Sequence, residues 1–473
     1  MATVDDLNYA TVTELTAAYA DGTLSPVEAT QAALDRLHET NMHINAFTTV
    51  LDDWALQQAA ESEKRWRAGN PHSAIDGVPT TIKDNVPIAG WPTRKGSLTT
   101  PDGPSPENGP GVDRLLEAGA VLFAKTTLPD NACKGVTDSP LTGITRNPWN
   151  LDVTPGGSSG GAAAALAAGI GPLALGSDGA GSIRIPCAFT GLAGIKQTYG
   201  RVAALPGSPF EGMSHQGPMA RTVADVGLML QVLAQPDYRD GTSWPGASPY
   251  NADAETGWLA GLRVALTPDF GLPYPIHDDV RAAVITAGEV LSGLGADVSE
   301  ATPDLSGAMD ALATLWHAGI AKVYDSVDED KRELFDPALV EMAQRGKEIS
   351  AVDYVRAASY KAELGEQLGR FHTEYDVLVG PTVPIVAFRA GELTPPSDGG
   401  DDWRIWSPYC AAFNMTQQPA ASVPCGLSNG LPMGLQIIGR RHDDDLVLQV
   451  AAAYEQQAGG FRELSRRGQG LDI

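Results

Sequence analysis

The chain has 473 residues, enough for one large domain or for two to three domains of ordinary size, and its composition is that of a globular protein. Its formal net charge of -25 and its pI near 4.6 argue against binding to a nucleic-acid backbone or an anionic membrane, because both interactions need concentrated Lys and Arg. The four cysteines lie far apart, with no CxxC pair and no His-linked metal spacing, so the sequence predicts neither a disulfide framework nor a zinc site.

The first 70 residues are predicted to form helices that pack on the rest of the protein. Ser25, Pro26 and Glu28 have the pattern of a capping box with proline at the first helical position, and they predict a helix from Ser25 to about Thr40. A second helix is predicted over residues 52–68. The N-terminus is acidic and lacks the apolar core of a secretory signal, so we expect a cytoplasmic protein.

A short strand and a helix–strand repeat follow. Residues 79–83 predict a strand that ends in polar, proline-rich turns, and Lys83 lies at its end. Most lysines are solvated surface residues, so that is the plain interpretation of Lys83. Residues 112–126 predict a helix, a glycine stop and a strand, and residues 127–152 predict a long loop of the kind that often carries function.

Residues 154–186 form a stretch rich in Gly, Ala and Ser. No residue from Val153 to Ser177 is charged, although 19% of the chain is, which predicts that the segment is buried. A membrane span is disfavoured because the stretch is built from Ala and Gly, with Pro172 inside, rather than from Leu, Ile, Phe and Val. We interpret it as a buried helix over 161–170 followed by a buried strand over 172–176.

The remainder of the chain alternates helices and strands, which is typical of an α/β fold. The predicted elements are a helix over 222–233, a strand over 263–266, a helix over 278–294, a strand over 296–298, a mostly helical region with solvated charged faces over 305–371, a strand over 376–380, two strands joined by a turn at Asn429-Gly430, and a helix over 443–457. No linker divides the chain. We therefore expect one α/β domain over 1–473, with helices over 1–70 packed on it, a catalytic core over 75–200, and a central mixed, twisted sheet covered by helices.

Glycines frame two serine sites, GGSSGG around Ser158 and Ser159 and GAGS at Ser182. A helix of about ten residues and a strand of about five both span roughly 15 Å, so the two sites should lie at the same edge of the sheet. Successive N–H groups near the second site could form the anion-binding nest that an oxyanion hole requires. The residues of this predicted nest are Gly179, Ala180, Gly181 and Ser182. The plain alternative is a Gly/Ser-rich turn without chemistry.

A serine nucleophile needs a base. None of the eight histidines lies in a recognisable catalytic setting, which leaves Lys83 as the candidate. Lys83 could serve only when neutral, which requires its pKa to fall from about 10.4 toward 7 or 8, and a buried surrounding of serines and glycines favours that shift.

Two rival motifs overlap the same stretch. GGSSG matches the GxSxG nucleophile elbow of α/β-hydrolases with Ser158 as nucleophile, but the preceding NPWNLDVTP is not a buried strand. A GxGxxG dinucleotide site is disfavoured because no strand–loop–helix unit with a following acidic residue fits here.

Several longer motifs occur in order along the chain: GVPTTIKDNV, KTTLPD, TRNPWN, GGSSGGAAAALAAGIGPLALGSDGAGSIRIPCA, GPMART, SVPCG and LPMGLQIIG. Together they resemble the amidase signature family of Ser-Ser-Lys hydrolases, over about residues 10 to 457. The resemblance implies that Lys83 is the base, that Ser158 is a bridging serine after a cis peptide bond, and that Ser182 is the nucleophile. It implies supporting roles for Ser159, Asp178 and Arg184, the last two as an ion pair that braces the loop.

The resemblance also implies the reaction. We expect hydrolysis of the C–N bond of a small or aryl-type amide through an acyl-enzyme, and family members also cleave carbamates (urethanes), anilides and esters. The alternative is the glutaminase subunit of a tRNA-dependent amidotransferase complex, although NMTQQP at 414–419 departs from the common NxTG pattern. A non-catalytic scaffold would require both serine sites to be without function.

We expect a small-molecule amide or carbamate as the substrate, no cofactor and no metal ion, no nucleic-acid or membrane partner, and a monomer or homodimer. Five aromatic residues in predicted loops either line an aromatic-tolerant pocket or pack on the surface: Trp91, Phe210, Trp403, Trp406 and Tyr409.

Overall fold

The computed structural model describes residues 7–210, 212–246, 259–396 and 402–467. Its centre is a mixed sheet of eleven strands, and a separate hairpin holds two more. The strands are, in chain order, β1 (Phe47–Val50), β2 (Pro79–Lys83), β3 (Val121–Thr126), β4 (Asp138–Ser139), β5 (Gly143–Ile144), β6 (Leu173–Asp178), β7 (Ala193–Lys196), β8 (His215–Ala220), β9 (Arg263–Leu266), β10 (Asp297–Glu300), β11 (Val377–Pro381), β12 (Ala420–Ser428) and β13 (Leu431–Gly439).

The strand order in the large sheet is β1-β3-β2-β6-β8-β7-β12-β13-β11-β9-β10. β2 runs parallel to β3 and β6, and β9 runs parallel to β10 and β11, whereas the other neighbouring pairs are antiparallel. The predicted class, a single α/β domain with a mixed sheet covered by helices, is confirmed.

Helices cover the sheet, and none in the described ranges is long and apolar enough to cross a membrane. They are α1 (Val12–Asp21), α2 (Pro26–Ile44), α3 (Asp52–Arg67), α4 (Pro110–Glu117), α5 (Gly160–Ala167), α6 (Arg184–Thr190), α7 (Val223–Leu233), α8 (Asp278–Gly293), α9 (Ala308–Asp325), α10 (Pro337–Lys347), α11 (Ala351–Glu374), α12 (Ala411–Met415), α13 (Asp444–Ala458) and α14 (Phe461–Arg467). Short 3-10 helices occupy Asp130–Ala132, Glu329–Leu334 and Trp403–Trp406.

Both faces of the sheet are buried. On β11, Val377 and Val379 belong to one hydrophobic cluster and Leu378 belongs to another. Because successive side chains of a strand point to opposite faces, the two clusters lie on opposite sides of the sheet. Strands buried in this way are nearly continuous runs of apolar residues rather than alternating ones.

The predicted elements around the first helices agree with the structure. Ser25 Oγ accepts a hydrogen bond from the Glu28 N–H, and the Glu28 carboxylate accepts one from the Ser25 N–H, which completes the predicted capping box. β2 has the predicted bounds of 79–83. Residues 161–170 and 172–176 were expected to be helix and strand, and the structure has α5 and β6 there with slightly shifted bounds.

Three elements after the serine motif escape prediction. α6 has seven residues, all of them buried, so it shows no amphipathic period. β7 has four residues, and β8 contains Gly217 and Pro218, residue types that usually mark the end of a strand. Their position in the buried centre of the sheet removes the hydrophobic alternation on which sequence patterns depend.

The parallel pairing of β2 with β6 decides where the site lies. Thr80 is opposite Leu173 and Ile82 is opposite Leu175, so the two strands end at the same edge of the sheet. Lys83, the last residue of β2, therefore lies beside the end of β6. α5 runs away from this edge and β6 returns to it, which brings the two serine sites together.

Close packing fixes the start of α5. A Cβ atom on Gly161 would lie 2.3 Å from Thr127 Oγ1 and 2.5 Å from the Thr127 backbone nitrogen. Glycine at this position therefore lets the helix approach the end of β3.

Gly161→Ala should destabilise the protein. Overpacking of this kind costs about 1–3 kcal/mol, so we expect the free energy of unfolding to fall by about that amount, measured by denaturant titration. Gly293→Ala is the matched control, because a Cβ there meets nothing within 4 Å and alanine favours helix. Equal stability of the Gly161→Ala variant and the wild type would contradict this packing argument.

Candidate active site

Lys83 lies fully buried at the edge where β2 and β6 end. Its Nζ is 2.7 Å from Ser158 Oγ, 2.9 Å from Ser159 Oγ and 2.9 Å from Ser177 Oγ. The structure thus places the predicted lysine directly on the first serine site. Ser177, the residue of β6 just before Asp178, was not singled out from the sequence, where it reads as one more small residue of a buried strand.

Burial controls the charge of Lys83. Removal of water lowers the pKa of Lys83 well below its usual value, and the more distant charge of Asp178 opposes this shift only in part. No carboxylate oxygen forms an ion pair with Lys83 in the described part of the chain. A neutral lysine keeps one lone pair, so Lys83 can accept a proton from a neighbouring hydroxyl.

The three serines around Lys83 differ in where their protons can go. Ser159 donates its hydroxyl proton to the Ser177 carbonyl oxygen, 3.0 Å away, and its Oγ accepts from the Ser177 N–H. Ser177 Oγ also accepts from Asn85 Nδ2 at 3.0 Å. Ser158 and Ser177 therefore remain as the hydroxyls that can pass a proton to Lys83.

Ser182 lies in the turn between β6 and α6. Its carbonyl oxygen accepts a hydrogen bond from the Ser159 N–H at 3.1 Å, which ties the two serine sites together. Ser158, Ser177 and Ser182 all line one cavity of about 450 Å³. The Gly157-Ser158 peptide bond is cis.

Asp178 and Arg184 form a fully buried ion pair across this turn. Asp178 Oδ1 accepts from Arg184 Nη2 at 2.9 Å and Oδ2 accepts from Arg184 Nε at 3.0 Å. Burial alone would raise the pKa of Asp178, but Arg184 and the Asn414 amide outweigh it and hold that pKa well below its ordinary value. Arg184 Nη1 donates to Gln436 Oε1, which joins the turn to β13. The pair thus braces the turn that carries Ser182.

The predicted anion-binding nest needs one correction. The Gly181 N–H already donates to Asp178 Oδ1 at 2.7 Å, so it is not free to bind an oxyanion. The N–H groups of Gly179, Ala180 and Ser182 form no hydrogen bond within the described residues. Gly181 instead shapes the turn, because its φ of +123° suits glycine and a Cβ would lie 2.8 Å from the Cys410 side chain.

An aromatic pair forms one wall of the cavity. Phe210 and Trp316 stack with ring centroids 3.7 Å apart and an interplanar angle of 4°. Trp316 also lies against the start of the nest, since a Cβ on Gly179 would be 3.3 Å from its ring. Sequence patterns missed Trp316, because the charged residues over 305–371 suggested a solvated helix; the signal was the apolar stripe of α9, in which Leu312, Trp316 and Ile320 are buried.

Of the five aromatic residues expected in a pocket or on the surface, only Phe210 lines the described cavity. Trp403, Trp406 and Tyr409 are buried in the core, and Trp403 packs edge-on against Trp316 with ring centroids 5.6 Å apart. Trp91 packs against Trp54.

One histidine lines the cavity, although none was expected to have a catalytic setting. His215 lies at the start of β8, is buried, and has Nδ1 2.7 Å from the Met213 carbonyl oxygen. Burial lowers its pKa well below the usual value, so its ring is neutral. Among the described residues, no group of three His, Cys, Asp or Glu side chains is arranged to hold a metal ion.

A family model and two known proteins match this chain over most of its length. A family model described as Amidase matches residues 28–448. An acylamidase of Rhodococcus erythropolis is 37% identical over 464 residues, which cover 96% of this chain and 96% of that protein. A glutamyl-tRNA(Gln) amidotransferase subunit of Chloroflexus aurantiacus is 35% identical over 479 residues, which cover 95% of this chain and 97% of that protein.

Solved structures agree with the relatives. A bacterial aryl acylamidase of the amidase signature enzymes superposes with a TM-score of 0.90 at 27% identity, covering 98% of this chain and 99% of that one. A 6-aminohexanoate cyclic dimer hydrolase superposes with a TM-score of 0.85 at 28% identity, covering 96% and 98%.

Asp178→Asn should destabilise the protein strongly. The change leaves the Arg184 guanidinium buried without its anion, and breaking a buried pair in this way costs about 3–5 kcal/mol. We expect a loss of that size in the free energy of unfolding, measured by denaturant titration. Glu61→Gln, which breaks an exposed pair with Lys64, is the control and should leave the unfolding midpoint unchanged. Equal midpoints for both variants would show that the buried pair does not brace the turn.

Proposed function

This chain belongs to the amidase signature family of amidohydrolases, and we propose that it hydrolyses the C–N bond of a small or aryl-type amide through an acyl-enzyme on Ser182. The observation that carries the proposal is the 2.7 Å contact between the buried Lys83 Nζ and Ser158 Oγ, with Ser158 and Ser182 on one cavity. A neutral amine next to a hydroxyl in a dry site is suited to removing a proton from a serine nucleophile.

The proposed mechanism is a proton relay. Neutral Lys83 takes the hydroxyl proton of Ser158, Ser158 takes the proton of Ser182, and Ser182 Oγ attacks the amide carbonyl carbon. The carbonyl oxygen becomes negatively charged, and we assign the N–H groups of Gly179, Ala180 and Ser182, which have no hydrogen-bond partner among the described residues, as the donors to it.

The relay then runs in reverse. Ser158 gives a proton to the departing nitrogen and regains one from Lys83, so the C–N bond breaks as the acyl-enzyme forms. A water molecule passes a proton through Ser158 to Lys83 as it attacks the acyl-enzyme. The bond between the acyl carbon and Ser182 Oγ then breaks, the acid leaves, and the relay returns the proton to Ser182 Oγ. Ser159 acts as a positioning residue, because its own proton is committed to the Ser177 carbonyl.

The wall of the cavity supports an aryl-type substrate. Phe210 and Trp316 line the cavity with apolar ring atoms next to Gly179, which an aromatic group of the substrate can contact. The likeness to proteins described as an acylamidase and an aryl acylamidase points the same way. Carbamates, anilides and esters present the same carbonyl to the relay and fall within the proposal.

The second candidate function is that of a glutaminase subunit in a tRNA-dependent amidotransferase. The 35% identity to a glutamyl-tRNA(Gln) amidotransferase subunit favours it. The residue that departs from the NxTG pattern is Gln417, which has glycine-like backbone geometry with a φ of +64° and donates from Nε2 to the Gly212 carbonyl oxygen. We therefore rank this function second.

A hydrolysis panel with the isolated chain tests the proposal. We expect turnover of acyl anilides, aryl carbamates or aliphatic amides, and loss of that turnover in Ser182→Ala with an unchanged unfolding midpoint, because the variant removes the nucleophile and little else. Product release is followed by chromatography. Full activity of Ser182→Ala would rule out the nucleophile, and turnover of glutamine alone would favour the glutaminase function.

The dependence of kcat/KM on pH at acidic values should report the protonation of Lys83. The pKa of Lys83 is lowered, so Lys83 is neutral and active above that pKa and becomes protonated and inactive as the pH falls through it. We expect kcat/KM to fall on acidification with one such step. Lys83→Ala should reduce kcat/KM about 100-fold or more and remove that step from the residual activity. Lys64→Ala, a surface change, is the control. A residual profile with the same acid step would exclude Lys83 as the base.

A further inference from the structure

Two lysines stand out among the ten of the chain. Lys95 and Lys322 are the lysines whose side chains form no hydrogen bond, ion pair or ring contact in the described structure. Both line the cavity that contains Ser182. Other buried lysines have partners at hydrogen-bonding distance, such as Lys125 with Asp84 at 2.6 Å and Lys134 with Asp336 at 2.8 Å. Both lysines that have no side-chain partner among the described residues therefore lie at the site.

The backbone holds Lys95 in place. The Lys95 N–H donates to the Asp84 carbonyl oxygen at 3.0 Å, and its own carbonyl accepts from the Asn131 N–H at 2.8 Å. Its φ of +52° lies in the left-handed region, which costs energy for a residue with a side chain. The following Gly96 packs so tightly that a Cβ would lie 2.4 Å from the Leu128 carbonyl oxygen. The backbone that carries this half-buried lysine is therefore held firmly in the cavity wall.

Arg239, another cation on the cavity wall, is already paired with carboxylates. Arg239 pairs with Asp113 at 2.5 Å and with Asp237 at 2.7 Å. Asp240 accepts hydrogen bonds from the Ala204 N–H and from Thr242. Among the described residues no carboxylate acts on Lys95, and its pKa is lowered by burial alone. Lys95 is thus a half-buried cation on the cavity wall with no carboxylate partner among the described residues, in a chain whose formal net charge is -25.

We infer that the substrate carries a carboxylate, which pairs with Lys95 inside the cavity while Lys322 at the exposed rim attracts it. This inference rests on the proposed function and adds the charge of the substrate to it. A half-buried ammonium without a partner is costly, and an ion pair with a bound carboxylate offsets that cost when the substrate enters. The net negative charge of the rest of the chain would otherwise repel such a substrate, so local positive charge is needed for capture.

The carboxylate can belong to either half of the substrate, and kinetics with matched anilides separates the two. Succinanilic acid carries a carboxylate on the acyl side, with butyranilide as its neutral counterpart. 4-Acetamidobenzoate carries a carboxylate on the amine side, with 4-methylacetanilide as its neutral counterpart. We expect kcat/KM to favour one of the two acids over its counterpart about tenfold or more, and high salt to reduce this preference.

The role of Lys95 is tested by variants. Lys95→Met should lower the ratio of kcat/KM for the preferred acid to that of its neutral counterpart by about tenfold, whereas Lys95→Arg should retain most of the preference because it keeps the charge. Lys64→Met is the control, since Lys64 pairs with Glu61 on the surface, and it should leave the ratio unchanged. An unchanged ratio in Lys95→Met would overturn the inference. So would a wild-type protein that prefers neither acid.

A binding measurement separates this inference from the proposed function. In the Ser182→Ala variant, calorimetry should show tighter binding of the preferred acid than of its neutral counterpart. In the double variant Ser182→Ala, Lys95→Met, the two compounds should bind with equal affinity. Hydrolysis of both the acids and the neutral anilides at rates that do not change in Lys95→Met would overturn the inference and leave the proposed function intact. Binding of the acid through Lys95 without hydrolysis of any amide would support the inference and contradict the proposed function.

Discussion

The site depends on a lysine that is buried without a counter-ion. A charged ammonium in such a place would be costly, so burial favours the neutral amine, and the hydroxyl groups of Ser158, Ser159 and Ser177 supply its hydrogen bonds. This single constraint explains the absence of charge from Val153 to Ser177. It also explains why β2 and β6 must be parallel neighbours, because only then do their ends bring Lys83 to these serines.

A buried ion pair lies directly beside the uncharged cluster that Lys83 forms with its three serines. Asp178 and Arg184 are both fully buried, but each satisfies the other, and Asn414 adds a hydrogen bond to the carboxylate. Asp178 also takes the N–H of Gly181, which bends the turn and leaves the N–H groups on either side of it without partners among the described residues. The buried ion pair therefore shapes the turn that carries Ser182, while the uncharged cluster of serines holds Lys83, the proposed base.

Sequence patterns located most of the site because its residues are close to one another in two segments. The two serine sites were predicted to meet, Lys83 was predicted as their base from the lack of a suitable histidine and from the family resemblance, and Lys83 Nζ contacts Ser158 Oγ in the structure. Contacts between distant segments could not be predicted in this way. Trp316 reaches the cavity from α9, and the surface charges of α9 concealed the row of buried apolar residues to which Trp316 belongs. The use of the Gly181 N–H by Asp178 depends on the bend of the turn, which a glycine in the sequence permits but does not specify.

The most direct test of this account is the protonation state of Lys83. Lysines labelled with ¹³C at Cε and ¹⁵N at Nζ can be titrated by NMR, with Lys83→Met used to assign the Lys83 signal. This signal should titrate well below the ordinary lysine range, because Lys83 is a neutral amine when the enzyme is active. A Lys83 signal that titrates near 10.4, as model lysines do, would contradict the account, because a protonated Lys83 could not take the proton of Ser158.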